Sequence, residues 1–321
     1  MKELTIRTNE AGQRLDKFLS KYMNRAPKSF LYKMLRKKNI TLNGKKAQGK
    51  EILSAGDTVK LFLSDDTIRN FSEHKEFMSC GTAAGSGMDM RKLDIIYEDA
   101  HTLFINKPVG MLSQKTKPED VSLVEYLTSY LISSGQITRE ELRTFHPAVC
   151  NRLDRNTTGL LLMGKTLAGA QMLSEGLRER TIHKFYRAIV SGNVTKPVHL
   201  SGWLIKDEHT NQVKILTQEQ KDAVWIETSY TSVQAKGTCS LLEICLITGK
   251  THQIRAHLAS VGHPVIGDRK YGDPSVNHKF YSTFHVDHQL LHAYRLEFPD
   301  GRVFTAPMPE IFKEIMEKER G

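Results

Sequence analysis

The sequence predicts an α+β protein whose main body is a mixed, largely antiparallel sheet flanked by helices, preceded by a small basic α+β unit. Three observations carry this. Residues 1–64 hold 15 Lys and Arg against 5 Asp and Glu, so the whole formal excess of +10 lies there, and 31 basic and 31 acidic residues remain beyond. Regular patterning stops at Ser64 and resumes at Asp94; between them runs Gly81-Thr82-Ala83-Ala84-Gly85-Ser86-Gly87, the composition of a flexible linker. From Asp94 onward strand-like runs are many and repeated β-α-β units few, which favours an α+β body over a doubly wound one. The expected division is a basic domain over 1–64, a linker over 65–93 and a larger domain over 94–321.

Within the basic unit, residues 1–12 read as a short edge strand and turn. Leu15, Phe18, Leu19 and Tyr22 then recur at helical spacing. Pro27 suits the first position of a second helix, with Phe30, Leu31, Met34 and Leu35 on one face and Lys28, Lys33, Arg36 and Lys37 on the rest. Ile40-Thr41-Leu42 reads as a strand and Asn43-Gly44 as a tight turn, because both residues tolerate positive φ; Asp57 to Leu63 alternates as a further strand. With Lys38, Lys45 and Lys46, these cations make a footprint for a polyanion. Nucleic acid is preferred to an anionic membrane because no apolar wedge accompanies the charge. The alternative is a solvated module whose lysines face water.

The larger domain opens with strand-like Ile95 to Glu98 and Thr102 to Asn106, joined by a turn at Asp99-Ala100-His101 and followed by Lys107-Pro108-Val109-Gly110. Ser122 to Ser133 and Leu167 to Arg180 have helical spacing. The second leads into a strand, Lys184 to Val190, whose alternation puts Tyr186, Ala188 and Val190 on one face. Strand-like runs continue at 213–216, 224–232 and 240–246. Thr251 to Val261 reads as a helix stopped by Gly262 and Pro264, and a closing strand near Leu290 precedes a terminal helix from Pro309.

Composition excludes several classes. No run approaches the roughly 18 apolar residues of a membrane span, and the start, Met1-Lys2-Glu3-Leu4-Thr5, lacks the apolar core of a signal peptide, so a cytoplasmic protein is expected. The four cysteines form no C-x-x-C pair and are expected as free thiols. His252 and His257 are five apart, roughly 140° around a helix, and cannot share a face to hold a metal.

Asn151 to Thr166 is the most informative stretch. Arg152-Leu153-Asp154-Arg155 leads through Thr157, Thr158 and Gly159 into apolar Leu160 to Met163, so a carboxylate flanked by guanidiniums stands where a loop enters a buried strand. Its hydration must be replaced by a cation and hydrogen bonds, or else it is a turn residue accepting backbone N–H groups. From this stretch alone both readings stand.

The run Arg152-Leu153-Asp154-Arg155-x-x-Thr158-Gly159-Leu160-Leu161-Leu162 resembles the signature of the RluA-type pseudouridine synthases. Three further ordered blocks resemble the same family: Lys184-Phe185-Tyr186-Arg187-Ala188, Thr248-Gly249-Lys250-Thr251-His252-Gln253-Ile254-Arg255-Ala256-His257-Leu258, and Gly262-His263-Pro264-Val265-Ile266-Gly267-Asp268 followed by Tyr271-Gly272. The likeness covers about residues 94–308, and residues 13–63 resemble the S4-type RNA-binding domain. It implies Asp154 as nucleophile, Arg255 as its salt-bridge partner and Tyr186 as the ring under the uracil, where it can also help remove the C5 proton. Arg152 takes the place of a residue that holds a flipped nucleotide, with Arg155, Thr158, Lys250 and His252 as further substrate contacts. Lys107 lies in a similar N-K-P-x-G block and is assigned no catalytic role. Asn151 stands where His is commonest, Thr158 where Ser is usual and Lys250 where Arg is usual, which bears on flipping and phosphate contact more than on the reaction.

The implied reaction breaks the N-glycosidic bond of uridine, turns the uracil and joins its C5 to C1′, with no cofactor, nucleotide or metal. One carboxylate suffices because the leaving uracilate spreads its charge over its own carbonyls, whereas a retaining glycosidase needs a second group as acid. Arg255 would favour the ionised Asp154 in a dry pocket, and the uridine must leave its stack at a cost of about a few kcal/mol. The expected partner is ribosomal RNA, the 23S species first, free or in an assembly intermediate, bound by a monomer without a membrane. The alternatives are transfer RNA or small-subunit RNA, or an assembly factor whose catalytic fold is vestigial.

Overall fold

The computed structural model describes residues 1–72, 93–117, 119–207, 210 and 212–319. In the first unit, β1 (Lys2–Thr5), α1 (Leu15–Tyr22), α2 (Lys28–Arg36), β2 (Ile40–Leu42), β3 (Lys45–Lys46) and β4 (Thr58–Leu61) build a four-stranded sheet of order β1-β4-β2-β3 with two helices on it. Leu15, Phe18, Leu19 and Tyr22 of α1 meet Leu31, Met34 and Leu35 of α2 in one apolar core. Asn43 (φ 50°) and Gly44 (φ 72°) make the expected tight turn between β2 and β3.

A helix, α3 (Asp65–Phe71), occupies the start of the stretch expected as linker. Ser64 caps it by accepting from the Thr67 N–H, Ile68 is buried in the first core, and the Phe71 ring lies 4.6 Å from that of Phe30. A seven-residue helix with one buried position shows no periodicity, so the sequence pattern does not announce it. The Gly81 to Gly87 run lies outside the described residues.

The body begins with β5 (Ile95–Glu98) and β6 (Thr102–Lys107), continues through α4 (Leu123–Ser133), β7 (Ala148–Val149), β8 (Thr158–Gly164), α5 (Leu167–Arg178) and β9 (His183–Ser191), and adds the antiparallel run β10 (Val198–Asp207), β11 (Gln212–Leu216), β12 (Val224–Lys236) and β13 (Cys239–Leu246). Then follow α6 (Gln253–Ser260), α7 (Pro274–Phe284), β14 (Leu291–Glu297), β15 (Val303–Thr305) and α8 (Glu310–Lys318). One sheet takes the order β11-β10-β12-β13-β9-β14-β8-β6-β5, with β15 on β14 and β7 on β8. Every pairing among these is antiparallel except β14 with β8. The sheet is mixed and largely antiparallel, as the strand-rich, β-α-β-poor pattern predicts.

That parallel seam positions everything that follows. Ala293 of β14 pairs with Gly159 on one side and Tyr186 on the other, so the start of β8 and the middle of β9 lie level across the sheet. Gly159 has φ +106°, and a Cβ there would come within 2.2 Å of the Ala293 carbonyl oxygen. Only a residue without a side chain permits both the turn and the approach.

The two units touch. Arg7 pairs with Glu141 at 3.2 Å, Asn9 accepts from the Leu167 N–H at 3.2 Å, Glu10 accepts from the Thr144 hydroxyl, and the Arg143 guanidinium lies 4.4 Å from the Tyr22 ring centre. These contacts join the first unit to the body. We expect Gly159→Ala to destabilise the chain by about 3 kcal/mol or more, since both φ and the seam are violated; urea unfolding checks this, and an unchanged midpoint would show that the seam is not closely constrained.

Candidate active site

Asp154 ends the loop before β8. The turn there closes through its main chain, the Thr157 N–H donating to the Asp154 carbonyl at 3.0 Å, while its carboxylate accepts from Arg255 Nη1 at 2.7 Å. The carboxylate thus has a cation partner, which decides between the two readings left open by the sequence. Neighbouring main chain is pinned as well. The Ser113 hydroxyl accepts from the Leu153 N–H at 3.1 Å and donates to the Leu153 carbonyl at 2.8 Å.

Lys107 supports the same loop from below. Its side chain is buried, and Nζ donates to the carbonyls of Pro108, Met111 and Arg155 at 2.9, 2.8 and 2.8 Å. Burial pulls this ammonium down to about 7, and the charge of Asp154 works in the opposite direction. Three carbonyls match the three protons of an ammonium, so Lys107 staples the loops on either side of Asp154 without reaching the reacting space.

Arg255 comes from α6 on the far side. Its Nε and Nη2 donate to the two oxygens of Asp268 at 2.7 and 2.8 Å, leaving Nη1 for Asp154. Asp268 is fully buried and also accepts from the N–H groups of Lys270 and Tyr271 at 2.8 and 3.2 Å. Hydrogen bonds from Arg255 hold the Asp268 carboxyl below its ordinary range against the opposing effect of burial, and the same pairing raises Arg255. The result is a fixed guanidinium that touches Asp154 through one nitrogen only. One Asp154 oxygen is left to act on a ligand, and the side chain is 28% exposed toward the cleft.

His252 has a left-handed backbone (φ 54°) at the start of α6, which turns its ring toward the site. The Tyr271 hydroxyl accepts from the Val213 N–H at 2.8 Å and faces His252 Nδ1 at 3.0 Å, so its own proton is available to that nitrogen. Burial lowers the His252 pKa, which keeps the ring neutral at neutral pH, with Nε2 4.0 Å from Asp154. Tyr186 is buried on β9 with Ala188 and Val190, the face expected from strand alternation. Burial and then the charge of Asp154 raise its phenol well above the ordinary value.

Asp154, Tyr186, Arg255, Arg152, Arg155, Lys250 and His252 all line one open cleft of about 1510 Å³. Thr158 does not. It stands opposite His292 in the parallel pair, and its hydroxyl meets His292 Nδ1 at 2.8 Å, so alternation along β8 turns it away from the cleft. Asn151 bonds the Leu160 carbonyl and the Leu162 N–H at 3.0 and 2.7 Å, which gives it a structural task in holding the loop to β8. The expected RNA contacts Lys28, Lys33, Arg36, Lys37, Lys38, Lys45 and Lys46 are all exposed on the first unit.

The cleft wall carries ten Lys or Arg side chains against one carboxylate, Asp154. Residues 65–321 balance acid and base in sequence, so net charge gives no hint of this; the fold sorts the charges in space. Sequence reasoning also misses Asp268. The signal is present, because a core-bordering Arg needs a carboxylate and Asp268 closes one of the family-like blocks, but their separation of thirteen residues crosses a turn whose course only the structure gives. Among the described residues, no group of three His, Cys, Asp or Glu is placed to hold a metal, and no helix is long and apolar enough to cross a membrane.

Asp268→Asn is expected to destabilise the chain by roughly 3–5 kcal/mol, because one partner of a buried ion pair is lost. It should also lower kcat without a matching rise in KM, since Asp268 orients Arg255 rather than substrate. Steady-state kinetics together with denaturant unfolding test both, and unchanged kcat would remove Asp268 from the positioning of the site.

Comparison with known proteins identifies the family. The family described as RNA pseudouridylate synthase matches residues 101–260 and the S4 domain matches residues 13–59. The chain is 30% identical over 330 aligned positions to ribosomal large subunit pseudouridine synthase C of Escherichia coli (strain K12), covering 100% of this chain and 97% of that one. The protein of the same name from Vibrio cholerae is 28% identical over 296 positions, covering 92% of this chain and 88% of that one. Among solved structures, human RNA pseudouridylate synthase domain containing 4 superposes with a TM-score of 0.58 at 20% identity, over 71% of this chain and 94% of that one, which supports the fold. By its site blocks, its fold and its full-length relatives, the chain belongs to the RluA family of pseudouridine synthases, isomerases of RNA, and carries an N-terminal S4 domain.

Proposed function

We propose that this chain converts uridines of large-subunit, 23S ribosomal RNA to pseudouridine in the cytoplasm, with Asp154 as the nucleophile acting on a uridine flipped out of its stack. The observation that carries the reading is the one-nitrogen contact between Arg255 and Asp154, with Asp268 holding the guanidinium through Nε and Nη2. A carboxylate held in this way keeps its charge and its aim while one oxygen stays available to C1′. Full-length relatives named for the ribosomal large subunit support the choice of RNA.

In the proposed course, Asp154 bonds to C1′ as the bond from C1′ to N1 breaks and the electron pair leaves with the uracil. The base turns, C5 joins C1′ as the Asp154 ester bond breaks, and the proton lost from C5 is balanced by one gained at N1. The neutral phenol of Tyr186 forms the wall on which the base stacks. Burial and then the charge of Asp154 raise its pKa, which keeps the phenol neutral in the resting site, and help in removing the C5 proton is the second role that the family resemblance implies for it. Arg152, Arg155 and Lys250 are cations of the cleft wall, suited to the phosphates flanking the target.

Two measurements test this. In cells lacking the protein, particular 23S uridines should lose pseudouridine, and the intact chain should restore them whereas Asp154→Asn should not. Loss confined to transfer RNA or small-subunit RNA would move the substrate, and rescue of ribosome assembly by Asp154→Asn with no pseudouridine changed anywhere would favour a non-catalytic assembly factor. For the S4 domain, changing Lys33 and Lys37 to Gln should reduce the slope of log affinity against log salt by about 1 for each phosphate that is no longer neutralised, with little change in which RNA is preferred. An unchanged slope would mean that the phosphates are met elsewhere on the protein.

A further inference from the structure

The chain holds two tryptophans, Trp203 and Trp225, and the sheet brings them together. They face each other directly across β10 and β12, with ring centres 5.3 Å apart and planes at 70°. Both line the cleft that contains Asp154, and Trp225 is 42% exposed. As cross-strand packing alone the pair has no call for an indole left 42% exposed on the wall of a basic cleft.

The exposed ring is also held in orientation. Trp225 Nε1–H donates to Glu227 Oε1 at 2.7 Å. The Glu227 N–H donates to Thr248 Oγ1 at 2.8 Å, and its carbonyl accepts from Gln253 Nε2 at 2.9 Å. Gln253 opens the helix that carries Arg255, so the indole and the guanidinium at Asp154 share one rigid frame. Around them the cleft presents ten cations and a single carboxylate, the charge pattern of a path for a phosphate backbone.

We propose that Trp203 and Trp225 form a stacking platform for an unpaired nucleobase that flanks the uridine at Asp154. Aromatic faces in a positive groove take bases with little regard to sequence, because every base has a π face. The platform holds the neighbouring nucleotide out of its own stack and so shares the work of keeping the target open. It rests on RNA being the substrate, as argued above, and adds a contact site outside the reacting centre.

The whole fluorescence of the protein from tryptophan comes from these two rings, which gives a direct probe. The full chain would be titrated with a 12-nucleotide oligouridylate and with an abasic RNA oligomer of the same length and charge. Oligouridylate should quench the emission and the abasic oligomer should not. Trp225→Ala should weaken oligouridylate binding by roughly 5- to 100-fold while leaving abasic affinity unchanged; Trp225→Thr, which suits a strand, should do the same if alanine disturbs β12, and Trp225→Phe should retain most of the affinity. Equal quenching by both oligomers, or equal weakening of both affinities in the variants, would overturn the platform while leaving the RNA substrate intact. Failure of both oligomers to bind the unchanged chain at low salt would overturn the RNA reading and the platform with it.

Discussion

The chain of charges Asp154, Arg255 and Asp268 is the constraint around which the body is arranged. A buried guanidinium is costly unless its donors are taken, and a buried carboxylate is costly unless its oxygens are. Asp268 meets this with two bonds from Arg255 and two from main-chain N–H groups, so it is anchored before any ligand arrives. Arg255 is thereby fixed in orientation, and its Nη1 donates to Asp154. Asp154 gains a cation without being enclosed by it, which separates the requirement for charge from the requirement for access. If the guanidinium met Asp154 with both terminal nitrogens, the carboxylate would be as well neutralised and less open to the cleft.

Holding three side chains from three parts of the chain in that relation falls to the sheet. Asp154 precedes β8, Tyr186 lies on β9, and Arg255 follows β13 on α6, with β14 inserted between β8 and β9. The parallel pairing of β14 with β8 levels Gly159 with Tyr186 through Ala293. Lys107 and Ser113 then fix the loop that bears Asp154 by bonding its main chain rather than its carboxylate. Rigidity is supplied through backbone groups, which leaves the Asp154 carboxylate unencumbered.

Much of this is legible in the sequence. Alternation places Tyr186 with Ala188 and Val190, the Asn43-Gly44 turn follows from positive φ, and the strand-rich pattern beyond Asp94 indicates the class of sheet. Asp154, Tyr186 and Arg255 stand out together in their blocks, and the cleft brings them together. Other features depend on relations that local pattern does not carry. Thr158 turns toward His292 because of a pairing between strands more than a hundred residues apart. Helix α3 has one buried position and therefore no period to detect, and the contacts of Arg7, Asn9 and Glu10 with the body join segments with no shared local signal.

Charge shows the same limit and also points to its consequence. Beyond residue 64 the acids and bases cancel in number, yet the fold gathers ten cations around one carboxylate in the cleft. The first unit, by contrast, is basic in composition and carries its cations on the outside. An RNA held by both would meet two electrostatic fields of different kinds. The exposed lysines act over about a Debye length and are screened by salt, whereas the cations inside the concave cleft act at short range where water is partly excluded. On the proposed function, binding by the first and by the second would therefore be separable in ionic strength. This division also explains how a nearly neutral body can keep a negatively charged residue at the centre of its cleft: the surrounding cations offset the repulsion that Asp154 would exert on any polyanion entering it.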